Sequence, residues 1–144
     1  MGIDLCSLYD LAEQDNIDVA WFPLQADRSM AIQMADGSCA IAIDPWKMET
    51  LADEATSLGH ELGHCETGSF YNPFAALDVR QKHENRADKW AIQHLVPKDE
   101  LSKALAAGHR DTWDLADCFN VSEQLIKKAL CFYAYGNLNP ELYL

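Results

Sequence analysis

Residues 58–66, LGHELGHCE, decide how the rest of the chain is interpreted. The pattern His60-Glu61-x-x-His64 places two histidines four positions apart, and on a helix such residues share one face. Their imidazoles can then bind one ion, and zinc suits two neutral imidazoles with a carboxylate. Glu61 lies beside that face, where it can reach a water on the ion and act as a general base. The spacing therefore predicts metal-assisted hydrolysis of a peptide bond.

The third metal ligand is predicted on a second helix, in the stretch KHENRADKWAIQHLVP at 82–97. Glu84 and Asp88 are four positions apart on one face of this helix. We expect Glu84 to complete the ligand set and Asp88 to accept the other ring N–H of a metal-binding histidine. His83 is the rival third ligand. Zinc, one ion per chain, is the expected cofactor, with manganese and iron as the alternatives for two histidines and a carboxylate.

Peptide hydrolysis also needs a group that stabilises negative charge on the carbonyl oxygen in the transition state. Four side chains with a polar hydrogen are candidates for this role. The first two are Tyr71 and His83, and the others are His94 and Tyr133. The sequence alone does not select among them.

The hydrophobic pattern around these motifs predicts an α+β fold. Apolar residues at helical spacing predict three long helices, at 4–14, at 47–66 and from 78 or 80 to 96. Alternating apolar residues predict about three strands, near 17–21, 30–34 and 39–43. The last two strands form a hairpin around Asp36-Gly37. We therefore expect an N-terminal helix, a small antiparallel sheet, the helix with the first motif and the helix with the second.

Three shorter helices are predicted after Pro97, at about 98–107, 111–118 and 122–134. The last two have the apolar spacing of a helix-turn-helix, with Asn120 at the turn position where glycine is usual. Acidic side chains outnumber basic ones in this part of the chain, which argues against a DNA-reading surface. We expect a zincin-like metallopeptidase domain at 1–97 and a helical extension at 98–144 packed on it.

Composition and charge exclude several functional classes. The chain has 144 residues, with 11 Lys plus Arg against 23 Asp plus Glu, and a formal charge of −12. Such a surface repels nucleic-acid phosphates and anionic membranes. The sequence contains no run of about 18 apolar residues, so no membrane-spanning helix is predicted. The N-terminal residues show no signal-peptide pattern. The five cysteines include no CxxC pair. We expect a cytoplasmic protein with reduced, mostly buried thiols.

HELGH at 60–64, followed by ENRADKWAIQHLVP at 84–97, resembles the two motifs of the ImmA/IrrE family of bacterial metallopeptidases. Glu84 matches the first glutamate of the second motif, and Asp88 stands where the family has asparagine. Arg86 departs from the pattern, because it stands at the family's second glutamate. The resemblance covers roughly the first 97 residues.

The resemblance implies a zinc peptidase that cleaves a helix-turn-helix repressor and so turns on mobile-element or stress genes. It implies that zinc is bound by His60, His64 and Glu84, and that Glu61 is the general base and later the general acid. Two alternatives stay open. One is a catalytically silent zinc-binding adaptor that docks a repressor, and the other is a DNA-binding regulator that uses its C-terminal helices.

Two groups of basic residues bear on the DNA-binding alternative. Lys127 and Lys128 are the basic pair nearest to the second helix of the helix-turn-helix pattern. The other group lies on the second-motif helix and is expected to form a solvated face, and it consists of Arg80, Lys82, Arg86 and Lys89. Neither group predicts direct contact with nucleic acid.

Overall fold

A computed structural model describes residues 2–142, which form six α-helices and a three-stranded sheet, the predicted α+β class. The helices are α1 Leu5–Gln14, α2 Leu51–Thr67, α3 Leu77–Leu95, α4 Lys98–Ala106, α5 Thr112–Phe119 and α6 Glu123–Tyr135. The strands are β1 Asp18–Trp21, β2 Ser29–Gln33 and β3 Cys39–Ile43. Two short 3₁₀ helices lie at Pro45–Lys47 and Pro140–Leu142.

The sheet is mixed, whereas the sequence predicted an antiparallel one. β2 and β3 form the predicted hairpin, with Gly37 in the turn at φ 89. β1 pairs with the other side of β3 and runs parallel to it, so that the strand order is β1-β3-β2. The chain reverses once between β1 and β2 and again between β2 and β3, so β3 regains the direction of β1. Because β3 is central, β2 remains at one edge of the sheet.

Helix α2, which carries the first motif, begins at Leu51 and not at the predicted residue 47. Pro45–Lys47 forms a separate 3₁₀ turn, and the chain is extended at Met48. The side chain of Thr50 accepts a hydrogen bond from the backbone N–H of Asp53, which caps the new start. The helix ends before Gly68, whose φ of 65 is the left-handed conformation that favours glycine.

Helices α2 and α3 approach each other closely at two glycines, Gly59 just before the first motif and Gly63 within it. A Cβ atom on Gly63 would collide with backbone atoms of Ala87 in α3, and one on Gly59 would collide with the side chain of Leu95. The fully buried side chains between and around these helices include Leu58, Leu62 and Ile92. This packing sets the histidine face of α2 against the carboxylate face of α3.

The helices after Pro97 pack onto this pair. The backbone N–H of Ser122 donates to Thr56 Oγ1 over 2.9 Å, and the Tyr133 hydroxyl donates to the carbonyl of Val96 over 2.8 Å. Asn120 has a φ of 53, so the turn between α5 and α6 is the left-handed one expected of the helix-turn-helix pattern. Within residues 2–142, none of the helices combines the length and the apolar character needed to cross a bilayer.

Two of the five cysteines are joined in a disulfide, which corrects the prediction that all of them are reduced. Cys39 begins β3 and Cys65 lies in the last turn of α2, and their Cα atoms are 5.9 Å apart, a separation that a disulfide requires. Of the free cysteines, Cys131 is buried, Cys118 is half-buried and Cys6 is exposed. The pairing was invisible in the sequence because packing of the sheet on α2 joins residues 26 positions apart.

Candidate metal centre and active site

Three side chains from α2 and α3 converge on one point. His60 Nε2 lies 2.8 Å from Glu84 Oε2 and 3.2 Å from His64 Nε2. His64 Nε2 lies 3.4 Å from the same carboxylate oxygen. Ligand atoms bound at about 2.0–2.1 Å around a tetrahedral zinc are about 3.3 Å from one another. The donor atoms of these three residues are therefore spaced for one ion, and the rival ligand His83 is not among them.

Each histidine is oriented by a partner of its other ring nitrogen. His60 Nδ1 lies 2.8 Å from Asp88 Oδ1, the contact that the second motif predicts. His64 Nδ1 lies 2.6 Å from the backbone carbonyl oxygen of Ser69, a fully buried residue just after α2. A carbonyl accepts but cannot donate, so His64 carries its proton on Nδ1 when neutral and presents Nε2 as the lone-pair donor.

The electrostatics of the site favour a cation at the point of convergence. Burial disfavours a charged imidazole, but hydrogen bonds to Asp88 and Glu84 outweigh burial and raise the pKa of His60 to about 10. Burial likewise opposes ionisation of Glu84, yet its hydrogen bonds with His60, His64 and Tyr71 hold its pKa below the ordinary range. The ionised carboxylate thus attracts positive charge, which a divalent metal supplies when it displaces the imidazole proton.

Glu61 lies beside the three converging side chains, His60, His64 and Glu84, and is shielded from solvent. It is 6% exposed, and its Oε2 accepts a 2.6 Å hydrogen bond from Ser29 Oγ on β2. Burial raises the pKa of the Glu61 carboxyl, against the opposing influence of His60 and the Ser29 hydroxyl. A carboxylate with a raised pKa takes up and releases a proton more readily near neutral pH.

A cavity of about 490 Å³ adjoins His60, His64 and Glu84 as well as Glu61. Its lining includes residues 29–31 of the edge strand β2 and, from the segment after α2, Phe70 and Tyr71. Such a volume lies in the range of ligand pockets. The cavity therefore gives a substrate access to the residues of both motifs.

Tyr71 is the one of the four predicted transition-state groups that lines this cavity. Its hydroxyl donates to Glu84 Oε1 over 2.6 Å, and that bond together with burial raises the pKa of Tyr71 to about 12. The hydroxyl therefore keeps its proton at neutral pH. His83 stacks on the Tyr71 ring, with 6.0 Å between centroids. The remaining two candidates, His94 and Tyr133, form hydrogen bonds elsewhere. His94 bonds to the backbone carbonyl of Trp90, and Tyr133 donates to the backbone carbonyl of Val96.

Arg80 is a cavity residue that the sequence analysis placed on a solvated helix face. It lines the cavity, and its Nε atom is buried without a hydrogen-bond partner anywhere in residues 2–142. The three other basic residues of α3 are exposed, as predicted, and they are Lys82, Arg86 and Lys89. Arg80 precedes Glu84 by four positions, so the helical spacing that links Glu84 to Asp88 was the signal that could have placed it on the same face.

Comparison with known families adds one match. The family model Peptidase_M78, described as the IrrE N-terminal-like domain, matches residues 12–130. The match begins in α1, includes both motifs and extends into α6. Comparisons with curated proteins and with solved structures found no match.

Proposed function

The chain belongs to the Peptidase_M78 family, and from this premise we propose that it is a zinc metallopeptidase that hydrolyses a peptide bond in a protein substrate. The observation that carries the proposal is the convergence of His60, His64 and Glu84 on one point, with Glu61 beside them at a cavity. Two imidazoles and one carboxylate form a donor set that catalytic zinc uses while keeping a position open. Family, donor set and cavity thus support the same reaction.

The proposed chemistry assigns roles to two side chains that line the cavity, Glu61 and Arg80. Zinc, when bound, polarises a peptide carbonyl and lowers the pKa of water. The Glu61 carboxylate takes a proton from the water that adds to the carbonyl carbon. It then returns the proton to the amine nitrogen as the C–N bond breaks. Arg80, which lines the same cavity with an Nε–H unbonded within residues 2–142, is positioned to donate a hydrogen bond to a substrate oxygen. The Tyr71 hydroxyl would donate there only after it leaves Glu84 Oε1.

We propose that the substrate is a helix-turn-helix repressor in the cytoplasm, cleaved so that repression is relieved. The edge position of β2 supports an extended protein segment as the bound form, because an edge strand can pair with a further strand. β2 also lines the cavity, so a segment paired with it would pass beside Glu61. The test is incubation of the zinc-loaded protein with a helix-turn-helix repressor from the same genome, chosen from those encoded beside it. Two fragments are expected, and intact repressor after prolonged incubation would contradict this substrate.

The purified protein is expected to contain one zinc per chain by elemental analysis. The His60→Ala/His64→Ala double variant should lose this zinc because it removes both imidazole donors. Cys118→Ser is the matched control, since Cys118 belongs to a second group of possible ligand side chains, with His109 and Asp114. If the double variant keeps its zinc and the control loses it, the metal lies at the other group and the proposed centre is wrong.

Arg80→Met is expected to reduce kcat/KM roughly 10- to 100-fold, because a hydrogen bond from a charged donor to substrate contributes about 1.5–3 kcal/mol. Zinc content should not change. Arg86→Met serves as the control, since Arg86 is exposed on the same helix and lies outside the cavity lining. Equal activity of the two variants in a quenched-fluorescence peptide assay would show that Arg80 makes no productive contact with substrate.

A further inference from the structure

Asp88 uses its two carboxylate oxygens for two different partners. Oδ1 lies 2.8 Å from His60 Nδ1, and Oδ2 accepts a 2.8 Å hydrogen bond from the Lys128 ammonium group. Lys128 lies on α6, forty positions after Asp88 in the chain. A continuous chain of contacts therefore runs from the C-terminal helix through Asp88 to the imidazole of His60.

Because Asp88 is buried, its contact with Lys128 matters for its orientation. The Asp88 side chain is 10% exposed and that of Lys128 is 29% exposed. A carboxylate shielded from water to this extent is costly unless both oxygens have partners, and removal of one partner leaves a buried acceptor unpaired. Without Lys128, Asp88 would have to turn toward another donor or toward water, and its bond to His60 would weaken or break.

Helix α6 is held in a defined place, so Lys128 is not a freely moving surface side chain. Ser122 at its start is bonded to Thr56 of α2, the helix that carries the first motif. Three of its apolar side chains are buried against the rest of the protein: Leu125, Ile126 and Ala129. The helix thus delivers Lys128 to Asp88 through packing, and this same packing withdraws Lys128 from the basic pair considered for DNA contact.

We propose that Lys128 is a positioning residue that holds Asp88 in place and thereby orients His60 toward the metal. This inference rests on the proposed zinc site at His60, His64 and Glu84. It makes helix α6 part of the metal centre, although it supplies none of the three ligand atoms. Loss of a residue that orients a metal ligand typically weakens metal binding by 10–100-fold. Because Lys128 acts through Asp88, we expect about a tenfold loss.

The experiment compares the zinc affinities of Lys128→Met, Lys128→Arg and Lys127→Met, measured by competition with a chromophoric chelator. Lys127→Met is the matched control, since Lys127 is adjacent on α6 and forms no ion pair within residues 2–142. We expect about tenfold weaker binding for Lys128→Met, at least partial recovery for Lys128→Arg and no change for the control. Cobalt-substituted protein should show an altered visible spectrum for Lys128→Met alone.

A double-mutant cycle with Asp88→Asn separates positioning from stability. If Lys128 acts through Asp88, Lys128→Met should have little further effect on zinc affinity in the Asp88→Asn background. Wild-type zinc affinity and an unchanged cobalt spectrum in Lys128→Met, with a lower unfolding temperature as its only defect, would overturn the inference. Failure of the wild-type protein to bind zinc would instead refute the proposed function. If Lys128→Met does not fold, the comparison is made with Lys128→Gln.

Discussion

Glu61→Gln is expected to reduce kcat/KM for peptide cleavage roughly 10²- to 10⁴-fold while the protein keeps its zinc, the range that a lost general acid–base contributes. Gln has nearly the size of Glu, and its amide oxygen can still accept the hydrogen bond from Ser29. It cannot take a proton from water. The three proposed ligand side chains are untouched by this substitution, so we expect the loss to fall on proton transfer and not on metal binding.

Glu66→Gln provides the control, because Glu66 is an exposed carboxylate in the last turns of the same helix and does not line the cavity. It should cleave like the wild type. Substantial cleavage by Glu61→Gln with zinc bound would refute the assignment of Glu61 as general base. If the wild-type protein binds zinc and the repressor but cuts nothing, the silent adaptor is the better description, since an adaptor has no use for Glu61.

The parts of the site that were predictable lie within single helices. The i, i+4 spacing sets His60 and His64 on one face of α2, and the same spacing sets Glu84 and Asp88 on one face of α3. Helical periodicity is a local property, and each pattern could be read without knowing the fold. The contact between His60 and Asp88 could be anticipated because histidine ligands commonly have a carboxylate on the second ring nitrogen.

The features that were missed depend on contacts between distant parts of the chain. The parallel pairing of β1 follows from the insertion of β3 between β1 and β2, which strand alternation does not encode. Arg80 was assigned to solvent because its charge suggested exposure, whereas it lines the cavity together with the segment after α2. Lys128 was weighed only as a possible DNA contact because the packing of α6 cannot be read from its own residues.

Gly63→Ala is expected to lower the free energy of unfolding by about 2 kcal/mol, because an overpacking cost of about 3 kcal/mol is offset by about 1 kcal/mol from replacing a mid-helix glycine. The added methyl group would overlap the carbonyl oxygen, carbonyl carbon and Cα of Ala87. These are backbone atoms and cannot rotate away, so α3 must move as a unit. Ala87 lies between Glu84 and Asp88 in α3, so the shift would also displace both carboxylates from His60 and weaken zinc binding.

Gly59→Ala isolates the effect of the collision. Both variants gain about 1 kcal/mol from replacing a mid-helix glycine by alanine, so this contribution cancels in their comparison. The Cβ of Gly59→Ala would meet mainly the end of the Leu95 side chain, which can adjust its rotamer. We therefore expect Gly59→Ala to be clearly more stable than Gly63→Ala in urea unfolding of the metal-free proteins, with near-normal zinc affinity. Equal stability of the two would mean that α2 and α3 do not approach as closely at Gly63 as this packing requires, and the alignment of Glu84 with the two histidines would need another explanation.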